Sequence, residues 1–258
     1  MAEGMNDPRP PIGAPLLSVD GIDVFYCRVH TLHDVSFEVR ENEVVALLGV
    51  NGAGKSTLLK AISGIMPCAK GAISFAGERI DRLSSHEIVR RGVVQVPGGR
   101  GGFPGLTIGE NLRLAAAVSG RDRGKGAGGD IDRVVELFPW MGERRGQYAG
   151  TLSGGQQQQL LLARALLAQP RLIMIDELSL GLAPIVVEQL LGIVQDLNRR
   201  GVTIVLVEQN VDLALSFSDR AYFLEKGEVR FEGPAPALRE RGDLLRSVFL
   251  AGATEAAL

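Results

Sequence analysis

The sequence predicts a doubly wound α/β domain, in which helices cover both faces of a parallel sheet. Its strands are indicated by short, almost uninterrupted apolar runs at residues 44–48, 172–175 and 203–207, a pattern typical of parallel strands buried on both faces. Between the last two runs, Pro184 suits a first helical turn. The apolar residues after it recur at helical spacing: Val186, Leu190, Ile193, Val194 and Leu197.

The composition bounds the class of protein. The chain has 258 residues, 45% hydrophobic and 22% charged, which suits one globular unit and excludes disordered and fibrous classes. A net charge of −2 gives no support for nucleic-acid binding or an electrostatic membrane anchor. Two cysteines without a CxxC pair argue against a disulfide scaffold or a zinc site. We expect no signal peptide, no membrane span and a reduced, cytosolic compartment.

The two ends of the chain predict β structure outside the parallel sheet. Residues 1–15 contain four prolines and are expected to be disordered. Val35, Phe37 and Val39 then alternate with polar residues, as in an antiparallel strand with one buried face. Near the other end, residues 226–227 are Lys-Gly between two apolar runs, which predicts a hairpin.

The first buried strand should lead into a helix from about Gly54 to Gly64, where glycine suits a C-terminal cap. The middle of the chain differs in composition, because residues 98–130 hold 11 of the 33 glycines. We expect this stretch to lie in an inserted lobe, not in a rigid part of the core, with a mobile loop around residues 119–129.

A phosphate-binding motif follows the first buried strand. Residues 49–56 read Gly-Val-Asn-Gly-Ala-Gly-Lys-Ser and match G-x-x-x-x-G-K-[ST], with the required strand before and helix after. Backbone N–H groups would cradle a phosphate, Lys55 would reach the β- and γ-phosphates, and Ser56 would ligate Mg²⁺. The alternative is a glycine-rich turn with a solvated lysine. The candidate nucleotide-binding residues are Gly49, Val50, Asn51, Gly52, Ala53, Gly54, Lys55, Ser56 and Thr57.

Two carboxylates stand where the second buried strand emerges. Asp176 and Glu177 directly follow four apolar residues, at the edge where parallel sheets bind ligands. Asp176 would hold Mg²⁺, and Glu177 would orient or deprotonate an attacking water. The alternative is a helix N-terminus with acidic residues, which the helix dipole also favours.

A second candidate anion site precedes the leucine-rich helix that ends before Pro170. Residues 151–156 read Thr-Leu-Ser-Gly-Gly-Gln, and Ser153 is suited to cap the helix. A hydroxyl, two glycine amides and a helix start can bind an anion, although an ordinary capped helix has the same sequence. The residues concerned are Ser153, Gly154, Gly155 and Gln156.

The order and spacing of these three motifs resemble the ATP-binding cassette ATPases, from about Leu16 to Leu238. The resemblance implies a P-loop ATPase that binds ATP and Mg²⁺, with a RecA-like parallel core, an N-terminal antiparallel β subdomain and an inserted helical subdomain. It places one domain at residues 16–240, of which about 93–159 form the helical lobe and the remainder the core. Residues 241–258 would be a C-terminal tail.

Residues 96–104, 179–184 and 206–210 further resemble the LivF-type subunits of branched-chain amino acid importers. That family implies a cytoplasmic ATPase, peripheral on the inner face of the membrane. Its partners would be two transmembrane permeases, a second cassette (a LivG-type companion or a copy of itself) and, indirectly, a substrate-binding protein. Two cassettes would meet head to tail, so that residues 153–156 of one cover the γ-phosphate held by Lys55 of the other.

The same resemblance implies further roles by position. Tyr26 would stack on adenine, the alternative being a core tyrosine. Gln209 stands where most cassettes have histidine, and an amide takes up no proton, which leaves Glu177 as the general base. The residue that senses the γ-phosphate, commonly glutamine or glutamate, falls at Gly98, and we expect Gly98→Gln to raise turnover if that absence limits it. Gln95 is a poor substitute. A permease helix would dock near residues 98–103, in an apolar groove with Phe103 and Trp140 as candidate members, the alternative being that each is simply packed in the lobe.

Gly98 also motivates an alternative from another class: a regulatory subunit that binds ATP and dimerises but hydrolyses weakly. A further alternative keeps the motor and changes the cargo to another small polar solute, such as urea or an amide. A soluble cassette of the DNA-repair or translation type fits less well, because neither a coiled-coil insertion nor tandem cassettes are evident.

Overall fold

The computed structural model describes residues 9–98, 102–118 and 127–240, which contain two β-sheets. One is antiparallel, with strand order β2-β1-β4-β5, and the other has the order β10-β9-β3-β8-β7-β6. The strands are β1 (Pro15–Tyr26), β2 (Val29–Arg40), β3 (Val44–Leu48), β4 (Lys70–Phe75), β5 (Glu78–Arg79), β6 (Val93–Val96), β7 (Leu172–Asp176), β8 (Thr203–Glu208), β9 (Arg220–Glu225) and β10 (Glu228–Pro234).

The larger sheet contains the three strands that the apolar runs predict. β3, β8, β7 and β6 pair in parallel, β9 runs parallel to β3, and β10 returns antiparallel to β9. The predicted hairpin is confirmed, because Glu225 pairs with Glu228 across the Lys226 and Gly227 turn. All five residues of β3 are buried, as expected for a strand covered on both faces.

Helices cover this sheet. They are α1 (Lys55–Ile62), α2 (Ser85–Arg90), α3 (Ile108–Val118), α4 (Ala127–Leu137), α5 (Pro139–Glu143), α6 (Gly154–Leu166), α7 (Pro184–Arg199), α8 (Val211–Phe217) and α9 (Ala235–Glu240). The expected cap of α1 is present, because Gly64 follows it with a φ of +67°. Within the described ranges, every helix is too short or too polar to span a bilayer.

The two faces of the larger sheet bury different clusters. Along β7, Leu172 and Met174 pack in one cluster with Leu58 of α1 and with the antiparallel sheet. The intervening Ile173 and Ile175 pack in a second cluster with α3, α6 and α7. Successive side chains of a strand point to opposite faces. Helix α1, which follows the phosphate motif, therefore lies on the opposite face from α6, which follows the second candidate anion site.

Three expectations about flexible or inserted regions need correction. Ile108 and Leu112 are fully buried in the second cluster, so part of the glycine-rich middle does belong to the core. Strand β6 pairs with β7, so the inserted lobe starts after Val96 and not at about residue 93. The expected disorder does not extend to residue 15, because Arg9 binds Asp219.

Residues 1–8 and 241–258, and most of the expected mobile loop, lie outside the described residues.

Candidate nucleotide-binding site

The phosphate loop adopts a backbone that requires glycine at two positions. Gly49 has a φ of +153°, and a Cβ there would lie 2.2 Å from the carbonyl oxygen of Leu224. Gly54 has a φ of +106°, and a Cβ there would lie 2.7 Å from Leu32. A side chain at either position would displace neighbouring strands, so this sequence of glycines fixes the curve of the loop between β3 and α1.

The loop is held from outside by the hairpin turn. The backbone N–H of Gly227 donates to the carbonyl of Ala53 (2.9 Å), and Gly227 accepts from the N–H of His33 (2.8 Å). The turn between β9 and β10 thus links the loop to β2. Because the turn and β2 hold the loop, its N–H groups are placed before a ligand arrives, which lowers the entropic cost of binding.

Lys55 is buried at 5% exposure and folds back into the loop. Its Nζ donates to the carbonyl oxygens of Gly49 (2.7 Å) and Val50 (2.9 Å). Burial lowers the pKa of Lys55, and the carboxylates of Glu177, Asp176 and Glu208 oppose that shift. The solvated-lysine alternative is therefore wrong: the ammonium group is a desolvated cation inside the loop, facing an acidic cluster.

Asp176 ends β7 with an oxygen that lacks a partner. Its Oδ1 is buried and accepts no hydrogen bond. Burial raises the pKa of the Asp176 carboxyl, while the neighbouring Ser56 hydroxyl lowers it. A buried, unpaired carboxylate oxygen beside a hydroxyl is a donor set that suits a hard cation such as Mg²⁺, so these residues fit the cofactor that the motif implies.

Glu177 stands in an uncommon backbone conformation, with a φ of +49°. Its side chain accepts a hydrogen bond from Nε2 of Gln209, the first residue after β8. Its own N–H donates to the carbonyl of Val207 (2.9 Å). A left-handed non-glycine residue costs of the order of 1 kcal/mol and persists where surrounding contacts hold it. The two predicted catalytic residues, Glu177 and Gln209, are therefore in direct contact.

One acidic residue of the cluster has no role in the sequence-based interpretation. Glu208 ends β8, between β3 and β7, and is only 1% exposed. Its carboxylate accepts from the N–H (2.9 Å) and the hydroxyl (2.7 Å) of Ser179, in the loop after Glu177. Burial raises the pKa of Glu208, and these two hydrogen bonds oppose the shift. The sequence signal that could have identified Glu208 is an acidic residue at the end of a strand that is otherwise buried.

The second candidate anion site forms a self-contained helix cap. Ser153 Oγ accepts from the N–H of Gln156, and Oε1 of Gln156 accepts from the N–H of Ser153 (3.1 Å). A Cβ on Gly155 would lie 2.3 Å from Val186, so glycine allows α6 to approach α7 closely. The predicted cap is present. Because α6 and α1 lie on opposite faces of the sheet, one chain does not bring Ser153 to its own Lys55.

The two remaining candidates, Tyr26 and Gln95, lie in different surroundings. Tyr26 is 60% exposed at the end of β1, so the core-tyrosine alternative is wrong and the ring is available to a ligand. Oε1 of Gln95 accepts from the Ser63 hydroxyl (2.8 Å), which turns this amide toward the end of α1.

Gly98 packs tightly against the acidic strand end. A Cβ at Gly98 would lie 2.7 Å from the carbonyl oxygen of Asp176, so the glutamine common in this position does not fit unless the backbone moves. The absence of a side chain at Gly98 is therefore part of the local packing.

A glycine loop between a parallel strand and a helix, with a buried lysine and a carboxylate pair two strands away, defines a P-loop nucleotide-binding ATPase. The family model described as ABC transporter matches residues 32–179. The chain belongs to this family, as one of its ATP-hydrolysing ATP-binding cassettes.

Two curated relatives are branched-chain amino acid transport ATP-binding proteins. BraG of Pseudomonas aeruginosa is 45% identical over 223 residues, which cover 86% of this chain and 94% of BraG. The probable LivF of Archaeoglobus fulgidus is 37% identical, over 83% of this chain and 90% of LivF. A bacterial ABC transporter cassette solved as a dimer aligns with a TM-score of 0.76 at 25% identity, covering 85% of this chain and 99% of that one.

Proposed function

We propose that this chain is the ATP-hydrolysing subunit of an importer for branched-chain amino acids, peripheral on the cytoplasmic face of the membrane. The observation that carries the proposal is the 45% identity to BraG, which extends over 94% of that transport protein. The phosphate loop and the acidic cluster supply the chemistry that such a motor requires.

On nucleotide binding, contacts to the phosphates would replace contacts that Lys55 makes within the loop. The loop N–H groups would receive the phosphates, and Lys55 would leave the carbonyls of Gly49 and Val50 for β- and γ-phosphate oxygens. Tyr26 offers an exposed ring to adenine. Ser56 and Asp176 would hold Mg²⁺, which would neutralise charge on the phosphates.

Hydrolysis would be assisted by the pair formed by Glu177 and Gln209. The amide of Gln209 can donate hydrogen bonds but takes up no proton, so Glu177 is the general base for the attacking water. The contact between the two side chains orients the carboxylate before substrate binds. Glu208 would position the adjoining loop through Ser179.

A complete site would require a second cassette. Ser153 to Gln156 lie at the start of α6, on the face of the sheet opposite α1, so the anion site that they form would serve another subunit. We infer a head-to-tail pair, made with a LivG-type companion or with a second copy of this chain. ATP would favour the closed pair by contacts to both subunits, and hydrolysis would remove them.

Coupling to two permeases would pass through the groove beside β6. Phe103 is 46% exposed there, as expected of a docking residue. Trp140 is packed against the core and donates to Gln159 (2.6 Å), so it is not part of an exposed groove. Gly98, beside the groove, packs against the backbone of Asp176, so a permease docked there would contact the strand end that carries the nucleotide chemistry.

The proposal is tested by reconstituting the chain with the permeases, the companion cassette and the binding protein in vesicles. We expect steady-state ATP hydrolysis that rises with binding protein carrying leucine, isoleucine or valine, and a loss of that rise with Glu177→Gln. Stimulation by urea or amides alone would reassign the cargo. A wild type as inactive as Glu177→Gln, with nucleotide still bound, would identify a regulatory subunit.

A further inference from the structure

The hairpin between β1 and β2 carries a stack of three rings next to Tyr26. Phe25 and His30 pair across the two strands, and their rings lie almost parallel with centres 4.2 Å apart. The ring of His33 follows, with its centre 3.9 Å from that of His30. The stack therefore adjoins Tyr26, which pairs with Val29 at the next position of the hairpin.

His30 faces a carboxylate without completing a hydrogen bond to it. Its Nε2 lies 3.3 Å from Oδ1 of Asp23 and is buried without a hydrogen-bond partner in the part of the chain that the structure describes. The backbone N–H of Asp34 holds the pKa of Asp23 below its usual value, and His30 and Lys70 add to that shift. Asp23 is therefore ionised throughout the pH range in which histidine side chains change their charge.

The other ionisable groups around His30 favour a single proton on the pair of histidines. Two imidazolium rings at the distance between His30 and His33 repel each other, so the pair takes up one proton before the other. Lys70 lies 3.6 Å from the carboxylate of Asp34, which partly compensates its charge. Lys226 belongs to the turn that packs against His33, and not against His30.

A protonated His30 would bind both of its other neighbours more strongly. The imidazolium ring would donate a charge-assisted hydrogen bond to Asp23. It would also present a cation to the face of the Phe25 ring. Both contacts would hold the two strands of the hairpin together at the position next to Tyr26.

The same hairpin is joined to the phosphate loop. The N–H of His33 donates to the carbonyl of Gly227 (2.8 Å), and the N–H of Gly227 donates to the carbonyl of Ala53 in the loop (2.9 Å). The hairpin is thus held by the loop at one side and presents Tyr26 at its end. A base can stack on Tyr26 only while the hairpin is ordered, and the apparent affinity falls with the fraction of chains in that state.

We propose that His30 is a positioning residue for the nucleobase, and that its protonated form orders the hairpin and strengthens ATP binding. The inference rests on the proposed function, because it requires that Tyr26 contacts adenine. The added affinity is present in mild acid and is lost as the pH rises and the ring releases its proton.

The test compares ATP with a phosphate chain that lacks the base. Mg²⁺-ATP and Mg²⁺-tripolyphosphate are titrated calorimetrically into the full-length chain at pH 6 and pH 8. The ratio of the two affinities isolates the contribution of the base and ribose, because titration of the phosphates and of Lys55 affects both ligands. We expect this ratio to be about fourfold larger at pH 6, the size typical of a partly exposed ion pair.

Three variants separate the charge of His30 from its shape. In His30→Gln, the ratio should stay near the wild-type value for pH 8 at both pH values. His30→Arg keeps a permanent cation between Asp23 and Phe25, so its ratio should stay near the wild-type value for pH 6. His86→Gln, exposed on α2, is the matched control and should respond to pH as the wild type does.

A wild-type ratio above one that is the same at pH 6 and pH 8 overturns the proposal, and so does an unchanged pH response in His30→Gln. If glutamine disturbs folding, His30→Arg decides, because a pH response that persists in this variant also overturns the proposal. Equal wild-type affinities for ATP and tripolyphosphate at both pH values would instead contradict the contact between Tyr26 and adenine in the proposed function.

Discussion

The starts of helices α1 and α6 both contain glycine, and they differ in how their N–H groups are satisfied. At α1, the N-cap residue Gly54 is left-handed and offers no side-chain hydrogen bond. At α6, Ser153 and Gln156 cap each other. The N–H groups at the start of α1 are therefore free to bind a ligand. The start of α6 is exposed, and its own side chains already cap it. The start of α1 therefore suits a phosphate, and we propose that the capped start of α6, on the opposite face, acts on another subunit.

The largest expected effect on turnover comes from replacing Glu177, the proposed general base beside the phosphate loop. Glu177→Gln keeps the shape of the side chain and removes its ability to accept a proton, so turnover should fall about 1,000-fold. ATP affinity should be retained, because the amide adds no negative charge near the phosphates. Phosphate release by the assembled transporter measures the effect. Glu188→Gln, exposed on α7, is the control, and turnover within tenfold of wild type would remove Glu177 from this role.

The phosphate loop should also lose affinity for nucleotide when the ammonium group of Lys55 is removed. Lys55→Ala eliminates charge-assisted hydrogen bonds worth about 3 kcal/mol, so nucleotide affinity should fall about 100-fold. Calorimetric titration of the isolated chain measures this without a partner. Lys60→Ala, on the exposed side of the same helix, should bind normally. Unchanged affinity in Lys55→Ala would place the phosphates elsewhere.

Gly98 tests how closely the strand ends are packed. Because a Cβ there meets the Asp176 carbonyl at 2.7 Å, Gly98→Ala should shift the acidic strand end and lower turnover about tenfold, with a stability loss of about 1–3 kcal/mol. Gly98→Gln should also lower turnover, contrary to the expectation from the sequence. Gly105→Ala has open space around its Cβ and serves as the control. A rise in turnover with Gly98→Gln would show that the backbone adapts.

The smallest effect is expected at Glu208. Glu208→Gln retains one acceptor for Ser179, so turnover should fall only about fivefold, the equivalent of roughly 1 kcal/mol. Burial raises the pKa of Glu208 in the folded chain. Its contribution to stability is therefore present below the pKa of the unfolded chain and is lost as the pH rises through the folded value.

Denaturant unfolding at pH 5 and pH 8 checks that sign. Relative to Glu208→Gln, the wild type should be less stable at pH 8 than at pH 5. Glu188→Gln again provides an exposed control. An equal difference at both pH values would mean that Glu208 titrates normally, and its assignment as a buried positioning residue would be wrong.

Local patterns were sufficient for most of the fold. β3, β7 and β8 are continuous apolar runs, and the phosphate motif and the Ser153 cap each lie within a few consecutive residues. Patterns of this kind are fixed by neighbouring residues, so they could be identified in the sequence. The predicted start of the lobe at about residue 93 wrongly includes strand β6, which the glycine-rich region follows almost directly.

Contacts between distant residues could not be derived from the sequence. Ser179 and Glu208 meet across 29 positions, and Arg9 and Asp219 across 210. The close approach of Gly98 to Asp176 depends on how two strand ends pack. Arg164 has the sequence signature of an ordinary helical arginine, and only the structure shows that its Nε is buried without a hydrogen-bond partner beside an apolar cavity.

The most direct measurement is the structure of the assembled transporter with Glu177→Gln and Mg²⁺-ATP. We predict that the Ser153 hydroxyl and the Gly155 N–H of one cassette lie about 3 Å from γ-phosphate oxygens bound at the phosphate loop of the other. Closed cassettes with ATP in the loop and both groups beyond hydrogen-bond range would contradict the two-subunit site.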